Sequence, residues 1–172
     1  MKTLILLRHA KSDWDAPSTP DLERPLSERG RRAAPLVGKW LRKEELVPDL
    51  VLASAAQRAQ ETLGLVTQAI DGQLPVRSEQ DLYMAEPDRI LAIVRGVGDE
   101  VDRLLVVGHN PGLEQLARGL AVEGKKKALA RMTAKFPTGA AAVIEYDVAS
   151  WADIAPGTGK LRAFVRPKDL KE

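Results

Sequence analysis

The chain has 172 residues, 44% hydrophobic but only 4% aromatic, and its 26 basic and 24 acidic residues leave a formal charge of +2. That length suffices for one domain that folds without a disulfide or structural metal. The balanced charge excludes the single-signed field of a nucleic-acid binder, and the scarcity of aromatics excludes a base-stacking surface. With no cysteine, disulfides, thiolate nucleophiles and cysteine-ligated zinc are also excluded, and the reducing cytoplasm is the expected compartment.

The first predicted element is a strand at Leu4–Leu7, an apolar run too short for a signal-peptide core of ~7–15 residues or for a membrane span. It delivers Arg8-His9-Ala10-Lys11 to its C-terminal end. Ser12–Leu26 follows, an irregular stretch rich in Asp and Pro; loops of such length are usually functional, and this one is expected to border a site. Ser27 reads as the N-cap of a helix whose face is Ala33, Leu36, Val37, Trp40 and Leu41. Pro35 either kinks a helix begun at Ser27 or lies in the first turn of one starting near it.

A second strand at Leu50–Ala53 leads through Ser54 into a helix over Ala56–Ile70, with Ala59, Leu63, Val66 and Ile70 on one stripe. Asp71-Gly72 ends it, the glycine being expected to take the left-handed cap. Val76–Arg77 is a short strand. A helix then starts at Pro87, carries Ile90, Leu91, Ile93 and Val94, and stops at Gly96 and Gly98. Leu104–Val107 is the third firm strand, and a helix from Pro111 carries Leu113, Leu116, Ala117 and Leu120. Lys125-Lys126-Lys127 reads as a solvated face. Strands at Ala141–Tyr146 and Leu161–Val165 complete the pattern.

No linker, repeat or low-complexity segment divides the chain, so residues 1–172 are read as one domain. Strands alternating with helices predict an α/β three-layer sandwich, a mostly parallel central sheet with helices on both faces. Gly157-Thr158-Gly159-Lys160 mimics a P-loop, but Leu161 stands where Ser or Thr must bind Mg²⁺ and Ile154 stands where the first glycine belongs. It is read as a loop between strands.

Only two histidines occur, His9 and His109, each just past an apolar strand. A cation beside an imidazole at a strand end, as in Arg8-His9, is too costly to bury without an anionic partner. His109 lies in Gly108-His109-Asn110-Pro111-Gly112, at a strand-to-helix turn whose helix aims its N-terminal dipole at the same crevice. Arg58, in the first turn of the second helix, is disfavoured by the macrodipole unless an anion sits there too. The two histidines and two arginines converge without a carboxylate cluster to hold a metal, so no metal or cofactor is expected. Guanidinium forks match phosphate oxygens, and a neutral imidazole attacks phosphorus directly near pH 7.

Leu7-Arg8-His9-Ala10-Lys11, Ser54-x-x-x-Arg58-Ala59-x-Glu61-Thr62 and Gly108-His109-Asn110-Pro111-Gly112 resemble the histidine phosphatase superfamily, which includes the cofactor-dependent phosphoglycerate mutases. Together with Arg24-Pro25-Leu26-Ser27-Glu28-Arg29-Gly30, they look most like the small SixA-type phosphohistidine phosphatases. The resemblance implies a phosphoglycerate mutase-like fold and roles for four residues. His9 would become phosphorylated, Arg8 and Arg58 would clamp the phosphoryl group, and His109 would stabilise it.

Ester-cleaving members of such a family use a carboxylic acid to protonate the leaving alkoxide. Glu86 is the candidate here, although it reads equally well as a residue preceding a helix. An imidazole leaving group needs less proton assistance, and the short segment between the second and fourth strands leaves the site open. The expected substrate is therefore a phosphohistidine-bearing protein. The alternatives are a small phosphorylated metabolite hydrolysed by a phosphomonoesterase, a mutase reaction, or a non-catalytic phosphate-binding signalling module. No nucleic acid or membrane partner is expected.

Overall fold

The computed structural model describes residues 1–15 and 17–170. Residue 16 of the Ser12–Leu26 loop and residues 171–172 of the expected domain lie outside the described residues. Seven strands, β1 (Lys2–Arg8), β2 (Leu50–Ser54), β3 (Val76–Glu79), β4 (Arg103–Gly108), β5 (Ala121–Gly124), β6 (Ala141–Tyr146) and β7 (Gly159–Val165), form one sheet in the order β3-β2-β4-β1-β6-β7-β5. The pairings β1–β4, β2–β4, β2–β3 and β5–β7 are parallel, while β6 runs antiparallel to both of its neighbours. The mostly parallel sheet inferred from the alternation of elements is therefore present.

Both faces of the sheet are covered, which is why its strands read as unbroken apolar runs. Leu4 and Leu6 of β1 face one core, shared with Ile90, Leu91 and Val94 of α3 (Pro87–Arg95) and Leu113, Leu116 and Leu120 of α4 (Gly112–Leu120). Ile5 and Leu7 face the other. There they meet Ala34, Val37 and Leu41 of α1 (Glu28–Lys43) and Ala59, Leu63 and Val66 of α2 (Gln57–Ile70). Among the described residues no helix is long and apolar enough to cross a membrane.

Ser27 caps α1 as expected, its Oγ accepting from Gly30 N–H at 3.1 Å. The helix continues through Pro35 to Lys43, so the first alternative for its start holds. The end of α2 differs from expectation: Asp71, at φ 65°, is the left-handed residue instead of Gly72. Asp tolerates that conformation better than most side chains, and the chain has already turned before the glycine. The strand at residues 76–77 extends to Glu79, and β7 starts at Gly159, so the Gly159-Lys160 pair belongs to a strand. The sequence pattern missed β5 and α5 (Lys126–Ala134), in which Met132 alone is buried. The lysine run opens α5 on an exposed face.

Candidate active site

Topology brings the C-terminal ends of β1, β2 and β4 together, the position where open α/β sheets build sites. Arg8 is level with Gly108 in the β1–β4 ladder, so His9 and His109 leave adjacent strands side by side. Their ring centroids are 5.2 Å apart.

The surrounding motifs anchor these strand ends. Thr62 of α2 accepts Ala10 N–H at 3.0 Å and donates to the Arg58 carbonyl at 2.7 Å, tying β1 to the helix that carries Arg58. One turn position earlier, Glu61 accepts Leu26 N–H at 2.9 Å and holds the far end of the loop. Ser27 donates from both its backbone N and its Oγ to the Lys11 carbonyl. A Cβ on Gly30 would come within 2.1 Å of that carbonyl, so only glycine allows the start of α1 to approach the segment after His9. Gly112 is confined likewise: an added Cβ would meet the Ala85 carbonyl at 1.9 Å.

His9 is buried, with Nδ1 2.7 Å from the Ala10 carbonyl. A carbonyl only accepts, so Nδ1 carries the proton and Nε2 holds a lone pair. Burial lowers the pKa of His9 to about 4, with Arg58, Arg8 and Arg24 adding repulsion against the hydrogen bond to Ala10, which opposes the shift. Burial also lowers His109, to about 3, helped by His9 and Arg58. Both rings are therefore neutral at pH 7. His109 Nε2 lies 2.7 Å from Ser54 Oγ, and its Nδ1 is buried without a partner.

Arg8 donates from Nη1 to the Phe136 carbonyl at 3.1 Å, and burial lowers its pKa. Arg58 is only 2% exposed. The anion expected near it is present: Asp21 accepts from Arg58 Nη2 at 3.0 Å through its carboxylate and from Nη1 at 2.7 Å through its carbonyl. Asp21 also accepts from Arg24 Nη2 at 3.0 Å and from the Tyr83 hydroxyl. The Tyr83 bond, followed by the two guanidinium groups, holds the Asp21 carboxyl far below the usual carboxylate range and raises the Tyr83 phenol in return. Arg24 donates to Ser12 Oγ and lies 3.6 Å under the Trp14 ring.

Arg8, His9, Arg58 and His109 thus line one cavity of about 380 Å³, which Asp21, Arg24, Trp14 and Met84 also border. Asp21, Arg24 and Tyr83 were missed as site residues by the sequence reading. The signal for the first two was the Asp- and Pro-rich loop itself, whose position beside His9 is confirmed. Of the two readings of Glu86, the structure supports the residue preceding a helix: it is exposed at the start of α3 and lines a hollow with Asp88, Arg89, Ala92 and Ile93 instead of the histidine cavity. Glu86 occupies the N-cap position of α3. No group of three or more metal-ligating side chains occurs among the described residues.

Residues 4–83 match the model of the histidine phosphatase superfamily (branch 1). An uncharacterized protein of Mycobacterium tuberculosis is 42% identical over 94% of this chain and 100% of its own length. The putative phosphohistidine phosphatase SixA from Nakamurella multipartitia superposes with a TM-score of 0.84, at 30% identity, over 96% of each chain. The chain belongs to the histidine phosphatase superfamily. Its phosphoglycerate mutase-like fold is SixA-like: the putative SixA of Agrobacterium tumefaciens also superposes, with a TM-score of 0.81, at 28% identity, over 96% of this chain and 98% of that one. Superfamily membership together with these SixA-like structures supports a phosphatase, a hydrolase.

Proposed function

We propose that the protein is a metal-independent phosphatase that removes phosphate from phosphohistidine on proteins through a phosphorylated His9. The observation that carries this reading is the state of His9: a neutral ring with Nδ1 tied to Ala10, leaving the Nε2 lone pair beside Arg8, Arg58 and His109.

In the first step Nε2 of His9 attacks phosphorus. The phosphorus–nitrogen bond of the substrate breaks, and the departing imidazole takes a proton from solvent. Arg8 and Arg58 balance charge on the three equatorial oxygens, the task that Mg²⁺ performs elsewhere. Ser54 Oγ accepts Ala56 N–H at 3.2 Å, so its own hydrogen is available to His109 Nε2. The remaining proton of that neutral ring then sits on Nδ1, a buried donor that a phosphoryl oxygen satisfies. In the second step water attacks phospho-His9 and releases inorganic phosphate and neutral His9.

Two features favour a protein-borne histidine over an ester. Glu86 lies outside the cavity and Asp21 is held ionised, so no carboxylic acid is ready to protonate an alkoxide. Trp14 is 71% exposed and Met84 50% exposed at the mouth, an apolar rim suited to a macromolecular partner.

The test compares kcat/KM for a phosphohistidine-bearing carrier protein with that for alkyl and aryl phosphates, in wild type and Glu86→Gln. A lead of at least about tenfold for the carrier, unchanged in Glu86→Gln, is expected, since a true general acid contributes ~10²–10⁴-fold. Faster turnover of an alkyl ester, lost in Glu86→Gln, would establish a metabolite phosphatase instead.

A further inference from the structure

A second hollow, of about 430 Å³, opens beside the catalytic cavity. The two share Lys11 and Thr138 as walls and so lie side by side. Its lining holds six cations, Lys11, Arg29, Arg131, Lys135, Arg166 and Lys168, above alanine and proline side chains. They arrive from separate parts of the chain: the turn after β1, helix α1, helix α5 with its C-cap, and the 3-10 turn at Pro167–Asp169. Among the described residues one carboxylate pairs with any of them, Asp169 with Arg166 at 2.7 Å.

The whole chain carries only +2, so this concentration of charge is local. Like charges gathered on one rim repel one another and destabilise the fold that holds them unless an anion arrives. The arrangement differs from the phosphate site next door. There Arg58 is buried and aimed at one point, whereas Lys11, Arg29, Arg131, Lys135 and Lys168 are all exposed. Exposed cations spread around a hollow match carboxylates spaced along a polypeptide better than they match one compact phosphate. Among the described residues no aromatic side chain lines the hollow, which removes the stacking surface a nucleic acid strand would use.

We propose that this hollow docks an acidic segment of the phosphoprotein substrate, a stretch of Asp and Glu lying next to the phosphorylated histidine in that protein. The inference rests on the reading of the site as a protein phosphohistidine phosphatase. Its consequence is that the enzyme selects among phosphohistidines by flanking charge: attraction to the hollow raises the capture rate and leaves the chemical step alone.

Two phosphohistidine peptides, identical except that one carries Glu and Asp beside the phosphohistidine and the other Gln and Asn, provide the test. The acidic peptide is expected to show a kcat/KM about tenfold higher at low salt, through KM, with the gap closing at about 0.5 M salt as screening sets in. The double variant Arg131→Glu, Lys135→Glu should abolish or invert the preference, while free phosphohistidine is hydrolysed as by wild type. Equal turnover of the two peptides by wild type would overturn the docking proposal and leave the proposed activity standing. Hydrolysis of neither peptide, with alkyl phosphates cleaved, would overturn both. Strong competition by pyrophosphate that disappears in the double variant, without any peptide preference, would assign the hollow to a small polyanion instead.

Discussion

The Asp21 carboxylate lies 3.0 Å from Nη2 of Arg58, on the guanidinium that the proposed mechanism gives to the phosphoryl group. An internal anion, shared with Arg24, therefore holds the clamp in position. A phosphate that binds Arg58 must share it with Asp21 or displace it.

Asp21→Asn removes that competing charge and leaves an acceptor of the same shape. Inorganic phosphate is expected to inhibit the variant about three- to tenfold more tightly, corresponding to ~0.7–1.4 kcal/mol. A weaker inhibition constant would show that Asp21 serves Arg58 by positioning it and not by competing for it.

The two histidines are the only ones in the chain, so ring resonances in NMR report each without ambiguity. With pKa values lowered to about 4 for His9 and about 3 for His109, neither ring is expected to titrate between pH 5.5 and 8. Unfolding restores the ordinary value near 6.5, so between there and the folded values the unfolded chain binds more protons. Stability should then fall as pH drops below 6.5, by ~1.4 kcal/mol per pH unit for each ring. A ring titrating at 6.5 in the folded protein would contradict the lowering of its pKa by burial.

His9→Ala should fold and bind phosphate yet turn over no substrate, since no nearby group replaces the nucleophile. Rapid quenching of wild type during turnover should trap acid-labile, base-stable phosphate on the protein. Acid-stable phosphoserine, at Ser12 or Ser54, is the result that would refute the mechanism.

Arg58→Ala should lower kcat/KM by ~10²–10³, the scale for one electrostatic stabiliser. Exhaustive chelation should leave the wild-type rate unchanged. Loss of activity in EDTA with recovery in Mg²⁺ would place the catalytic charge on a metal.

Glycine substitutions separate packing from propensity. Gly64 in α2 has nothing within 4 Å of an added Cβ, so Gly64→Ala should stabilise the protein by ~0.5–1 kcal/mol. Gly30→Ala gains the same propensity but forces α1 away from the Lys11 carbonyl, and should lower both Tm and activity. Thermal denaturation of the pair distinguishes the two effects.

Local pattern was enough to single out His9, Arg8, His109 and Arg58, which the structure brings to one cavity. A strand announces itself by its own apolar run, and the residue after it inherits a position at the sheet edge. The division of Leu4 and Leu6 from Ile5 and Leu7 between the two faces was not legible there, because all four are apolar. Helix α5 escaped notice because its apolar stripe is short, Ala128, Leu129 and Met132, and only Met132 is fully buried. The two readings of Glu86 could not be separated from its neighbours in the chain, because which hollow it lines depends on how α3 packs.

Sequence by itself determined the fold class, the pair of imidazoles and the cations that accompany them, since each depends on residues within a few positions of a strand end. Tertiary structure decided which anion meets Arg58, that Tyr83 joins it from 62 positions away, and that cations from α1, α5 and the C-terminal turn share one hollow. Electrostatic interactions act through space, and the chain positions that generate them here are far apart; no local periodicity encodes a charge cluster assembled by packing.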